Sequence, residues 1–179
     1  MHTLHQTPKY GEVKHMPRQS TRRVVAAGLV ATLILTLVLT AGPAIGAPPL
    51  NLPLWDGTLF TLNLTLAVGF GYLVHFAVGV VLASLYVQVV EPRLAGEPWL
   101  KGAIFGAMVW AALMLVGLPL FDALDPLVAN GLMAAPGVFA LGLGVTAPLM
   151  LLVAHLLYGA VLGQLTGAPV LQGVRRRAV

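Results

Sequence analysis

The chain has 179 residues, 58% of them hydrophobic and 9% charged, with a mean hydropathy of +0.90; ordinary soluble domains carry roughly 25% charged residues, so that class is excluded and a membrane protein is expected. The absence of cysteine rules out disulfides and thiolate chemistry and leaves any heme or metal ligation to histidine. The formal net charge of +4 comes from basic residues at the ends of apolar segments, a sign of membrane topology rather than of nucleic-acid binding.

Residues 1–21 read as a polar cytoplasmic tail, with His2, His5, Lys9, Lys14, His15 and Arg18 scattered among Thr, Gln and Pro without a period that would bury a face. Arg22 and Arg23 introduce a first span over about 24–41, stopped by Gly42-Pro43. The basic start and the small residues Ala44 to Ala47 imitate a signal peptide, but the apolar run exceeds a typical h-region, so a spanning helix is expected. Residues 48–66 are apolar yet broken by Pro, Asp and Gly. They read as a connector at the membrane surface, with Trp55 at headgroup depth and at most a short interfacial helix. Asn63-Leu-Thr65 matches the short glycosylation sequon.

A second span is expected over about 67–90, stopped by Glu91-Pro92, and a short charged loop with Arg93 and Trp99 leads to Lys101. The third span, about 101–118, ends at Pro119, after which Asp122 and Asp125 flank a proline turn and read as turn and helix-start residues. The fourth span, about 138–165, contains Pro148, which should kink it near its middle. Residues 168–179 form a basic tail with Arg175, Arg176 and Arg177.

The expected fold is all-α, a four-helix transmembrane bundle over residues 22–167. Every Lys and Arg falls in the two tails or the second-to-third loop, and the other two loops hold Asp56, Asp122 and Asp125 instead. The positive-inside rule therefore places both termini in the cytoplasm, in a multi-pass protein of a prokaryotic inner membrane. Arg22, Arg23, Arg93, Lys101, Arg175, Arg176 and Arg177, with Trp55 and Trp99, are read as markers of topology and membrane surface.

One pattern occurs twice. When His75 and His155 are aligned, Gly79 and Gly159, Val81 and Val161, Leu82 and Leu162, and Leu85 and Leu165 coincide. Given the topology, the motif marks two duplicated helical hairpins of about eighty residues each, related by an axis along the membrane normal. The paired histidines then lie at similar depth. They are candidates for axial ligands of a b-type heme, for proton or substrate handling, or for a polar contact between helices beside a glycine groove. Gly102-Ala-Ile-Phe-Gly106 and Gly159-Ala-Val-Leu-Gly163 are GxxxG patterns that, with Gly79, imply close helix contacts. No nucleotide-binding loop, HExxH, GxSxG or pair of intramembrane carboxylates is present.

The stretch His155-Leu-Leu-Tyr-Gly-Ala-Val-Leu-Gly163, with Gly71-Tyr-Leu-Val-His-Phe-Ala-Val-Gly79 and Ala27-Gly-Leu-Val-Ala-Thr32, resembles an uncharacterised group of small four-span membrane proteins from bacteria and archaea, over roughly Arg22 to Gly167. The resemblance implies a compact four-helix membrane fold and carries no activity with it. Small size, missing catalytic motifs and glycine-rich faces make the leading expectation a non-catalytic accessory subunit that packs against other membrane subunits of a larger, energy-transducing complex in the lipid bilayer, with its tail docked on the cytoplasmic face. The alternatives are a small b-type cytochrome or quinone-site protein using His75 and His155, and a small transporter or channel with a polar path past the histidines and Ser84.

Overall fold

Helix starts are set by side-chain caps. Ser20 accepts the Arg23 N–H at 3.4 Å and opens α1, Thr21–Ala41. Asn51 caps α2, Leu52–Thr58, Asn63 accepts from Thr65 and Leu66 at the start of α3, Leu64–Leu85, and Asp125 caps α6, Pro126–Ala129. The remaining helices are α4, Pro98–Ala112, α5, Leu118–Leu124, and α7, Thr146–Thr166. The computed structural model describes residues 19–167; the tail before Gln19 and the segment after Gly167, with Arg175, Arg176 and Arg177, lie outside the described residues. No strand occurs among the described residues.

With their continuations these helices form four elements long and apolar enough to cross a membrane: Thr21–Ile45, Leu64–Arg93, Pro98–Leu124 and Thr146–Thr166. The second ends at Arg93, one residue past the stop expected at Glu91-Pro92, whereas the third passes Pro119, where a stop is also expected. Pro92 and Pro119 have no N–H to give, and the turn before each is widened: Glu91 N–H donates to the Tyr86 carbonyl and Leu118 N–H to the Leu113 carbonyl, each five residues back. At Pro119 the wide turn absorbs the proline ring without ending the helix. The third element therefore runs through Pro119 to Leu124.

The fourth element is shorter than expected. Gly137, Phe139, Ala140 and Gly144 have φ of +73°, +56°, +55° and +99°, left-handed backbone that a right-handed helix from residue 138 cannot contain. Residues 138–143 make a separate 3-10 turn, and α7 begins at Thr146. Pro148 thus falls in the first turn, where a missing N–H breaks no intrahelical bond, and the expected mid-helix kink does not form.

α1 and α7 pack against each other at the centre, α3 lies against α1, and α4 lies against α7. The glycines explain why. A Cβ on Gly102 or Gly106 would collide with the Gly159 or His155 carbonyl oxygen, and one on Gly163 with the Pro98 carbonyl. The two GxxxG faces therefore meet within one chain, backbone on backbone. Gly28 approaches Gly79, Val80 and Ala83 in the same manner, with Thr32 filling the space over Gly79.

The ends of the helices near Ser20 and Gly167 form the tail end; the opposite ends, with α2 and α6, form the loop end. At the tail end Arg23 donates from Nε to the Leu165 carbonyl at 2.8 Å and from Nη2 to the Gly167 carbonyl at 3.1 Å, and Gln19 donates to the Thr166 carbonyl. The cation closes the last, otherwise unpaired carbonyls of α7. Arg22, Arg93 and Lys101 sit on helices or turns at this same end, and Trp99 is half-exposed in the first turn of α4.

Candidate functional site

The connector between α1 and α3 packs against the helices. α2 runs antiparallel along the first turns of α3: Gly71 leaves room for the Pro53 carbonyl, and Gly57 for the Ala67 carbonyl. After leaving α1 the chain thus dips alongside α3 and climbs back. Trp55, expected at headgroup depth, is 9% exposed, with its ring 5.8 Å from Phe121 of α5.

This inserted helix carries Asp56 to His75, whose Nδ1 lies 3.1 Å from Oδ2 of the carboxylate. His75 is 9% exposed, and its other ring nitrogen, Nε2, is buried with no hydrogen-bond partner among the described residues. His155 is 4% exposed, and its Nδ1 lies 2.7 Å from the Leu151 carbonyl one turn earlier. A carbonyl only accepts, so Nδ1 of His155 carries the proton and Nε2 holds the lone pair of the neutral ring, an assignment made from acceptor chemistry. A carboxylate oxygen of Asp56 can accept in the same way from Nδ1 of His75. Tyr158 donates its hydroxyl hydrogen to the Gly79 carbonyl at 2.9 Å, tying α7 to α3 beside both histidines.

His75, His155, Asp56, Tyr158 and Thr32 line one cavity of about 140 Å³, with apolar walls from α1, α2, α3, α4 and α7. The two repeat histidines thus share one chamber. Sequence reading missed Asp56, Tyr158 and Thr32 as members of it. A lone carboxylate inside an apolar segment was the available signal for Asp56; Tyr158 and Thr32 had none beyond their place on the glycine faces. Ser84 lies outside the chamber and bonds the Val80 carbonyl of its own helix. Trp110 donates to the Pro148 carbonyl at 3.0 Å and packs on Phe139. Asp122 accepts the Gly137 N–H at 2.9 Å.

The chamber can accept, hold and pass a proton, because each imidazole presents a base nitrogen and one has a carboxylate behind it. It does not fit a porphyrin. Sites for drug-sized ligands measure roughly 300–1,000 Å³, above the volume available. No group of three or more His, Cys, Asp and Glu residues able to hold a metal occurs among the described residues.

An all-helical chain with four membrane-length apolar helices around a small polar chamber has the build of a multi-pass membrane protein. A model of the family described as a family of unknown function, DUF6789, matches residues 19–172, and the chain belongs to that family. No curated protein and no solved structure matches the chain.

Proposed function

We propose that the protein is a non-catalytic integral membrane protein that takes up and releases protons at the intramembrane His75–Asp56 pair, with His155 as the second base of the same chamber. The observation that carries this reading is the 3.1 Å contact between Asp56 and His75 in a cavity that also holds His155. Placing ionisable groups inside a membrane is costly, and they are kept there chiefly for ion and proton pathways.

The test uses the full chain in proteoliposomes with a trapped pH-sensitive dye and a potassium diffusion potential. The unaltered protein should acidify the lumen above the lipid background. His75→Gln and Asp56→Asn should cut that flux about tenfold or more, within the range expected for removing a positioned proton carrier, while the lipid-facing Leu37→Ala should not. Equal flux from all four proteins would end the proposal.

Three further parts of this reading concern setting. The four long helices are read as a transmembrane bundle with its tail end in the cytoplasm of a prokaryotic cell, because Arg22, Arg23, Arg93 and Lys101 gather at the tail end and Asp56, Asp122 and Asp125 at the loop end. Duplication of a helical hairpin is supported by packing: Gly28 and Thr32 against Gly79 and Ala83 correspond position for position to Gly102 and Gly106 against Gly159 and Gly163. An accessory role in a larger, energy-transducing membrane assembly is supported by the small size of the chain and by the absence of catalytic motifs from its sequence. Retention of other subunits through native-detergent purification is the outcome expected of that role, and a lone monomer is the outcome that removes it.

A further inference from the structure

The chamber has a neighbour. A second cavity, of about 240 Å³, lies toward the loop end between α1, α3 and the segment leading into α2, and is lined by Thr36, Thr40, Asn51 and Tyr72 among apolar residues. Both cavities follow the same seam. Thr36 is one helical turn from Thr32, Tyr72 is one turn from His75, and Leu52 of the inner chamber sits between Asn51 and Pro53 of the outer one.

Thr32, Thr36 and Thr40 form a ladder on one face of α1, each hydroxyl donating to the carbonyl four residues back at 2.8 Å. A hydroxyl whose hydrogen is spent in this way still offers oxygen lone pairs to water. The ladder grades from open to closed, with Thr40 exposed, Thr36 at 8% and Thr32 at 2%. A cavity of this volume with several polar partners has room for several waters.

Toward the tail end the described residues are closely packed, a closed end that must open for a proton to leave on that side. Tyr86 and Phe105 stack there with ring centres 5.2 Å apart, at 0% and 3% exposure, together with Ala83 and Leu162, both at 0%.

We infer that the Thr40–Thr36–Thr32 face of α1, with Asn51 and Tyr72, is a one-sided aqueous entry by which water and protons reach the His75–Asp56 pair from the loop end. The inference deepens the proton-handling reading and rests on it for the identity of the transported species. The titratable groups that face His75 are Asp56 from α2 and His155 and Tyr158 from α7; α1 contributes Thr32 and Leu35 to the chamber, α4 Val109 and the wide turn after it Leu113, none of which titrates.

The natural absence of cysteine makes the test direct. Single variants Thr40→Cys, Thr36→Cys and the lipid-facing Leu37→Cys are made in the full chain, with Leu132→Cys and Ala95→Cys marking the loop and tail sides. Each is reconstituted and treated with a membrane-impermeant cationic methanethiosulfonate from one side at a time. Thr40→Cys and Thr36→Cys should react from the loop side at least tenfold faster than Leu37→Cys, and the modification at Thr36→Cys should reduce proton flux at least fivefold. Reaction at Thr36→Cys from the tail side, or no faster than at Leu37→Cys, overturns the entry. Thr40→Cys, at the exposed mouth, keeps the test readable if the deeper variant misfolds. Fast loop-side labelling in a protein that shows no proton flux would uphold the aqueous entry and remove the proton reading instead.

Discussion

A histidine in a membrane interior is tolerable when its polar atoms are spoken for, and His75 is half provided for: Nδ1 meets Asp56, and Nε2 is buried without a partner among the described residues. His155 satisfies Nδ1 on its own helix. Tyr158 adds the one hydroxyl bond that joins α7 to the Gly79 carbonyl. Removing it by Tyr158→Phe should cost about 1 kcal/mol of stability without abolishing insertion, read as a shift in the denaturation midpoint in mixed detergent. The two histidines were legible as a pair because a repeated pattern places them at equal depth. Asp56 was not, since its contact with His75 spans a non-helical reversal, and periodicity says nothing about where such a reversal returns.

Among the elements, the contrast between glycines is sharpest. Gly102 faces the Gly159 carbonyl so closely that a methyl group must push α4 away from α7, whereas Gly69 has nothing within 4 Å of where its Cβ would stand. Gly102→Ala should destabilise by about 1–3 kcal/mol, the usual cost of overpacking. Gly69→Ala should be neutral or stabilising, because it only restricts a flexible backbone. Unfolding of both in the same detergent series checks the pair, and equal midpoints would contradict the packing. The glycine faces could be read in sequence, but their partners could not, since GxxxG does not say which helix it meets. Pro119 misled for a related reason: a one-residue widening before it preserves the helix, and no residue type announces it, whereas the stop expected at Pro92 falls one residue from the end of its element at Arg93. The four left-handed positions between Gly137 and Gly144, two of them not glycine, hid the true start of α7.

Across the whole molecule, α1 and α7 form the centre and are clasped at the tail end by Arg23. Arg23 was legible as a charge beside an apolar segment; its service to the carbonyls of a helix more than a hundred residues away was not. Arg23→Gln should loosen the final turn of α7, raising amide exchange at Thr166 and Gly167 a few-fold, consistent with about 0.3–1 kcal/mol for a cation at a helix C-terminus, and leaving exchange at the middle of α7 unchanged. Exchange rising along the entire helix would show that the clasp holds the fold rather than its end. The seven residues of α2 are far short of the ~20 that a helix needs to enter a bilayer by itself. During biosynthesis this segment has no route into the apolar phase until α1 and α3 stand ready to receive it through Gly57 and Gly71. The Asp56–His75 contact is then among the last to be made.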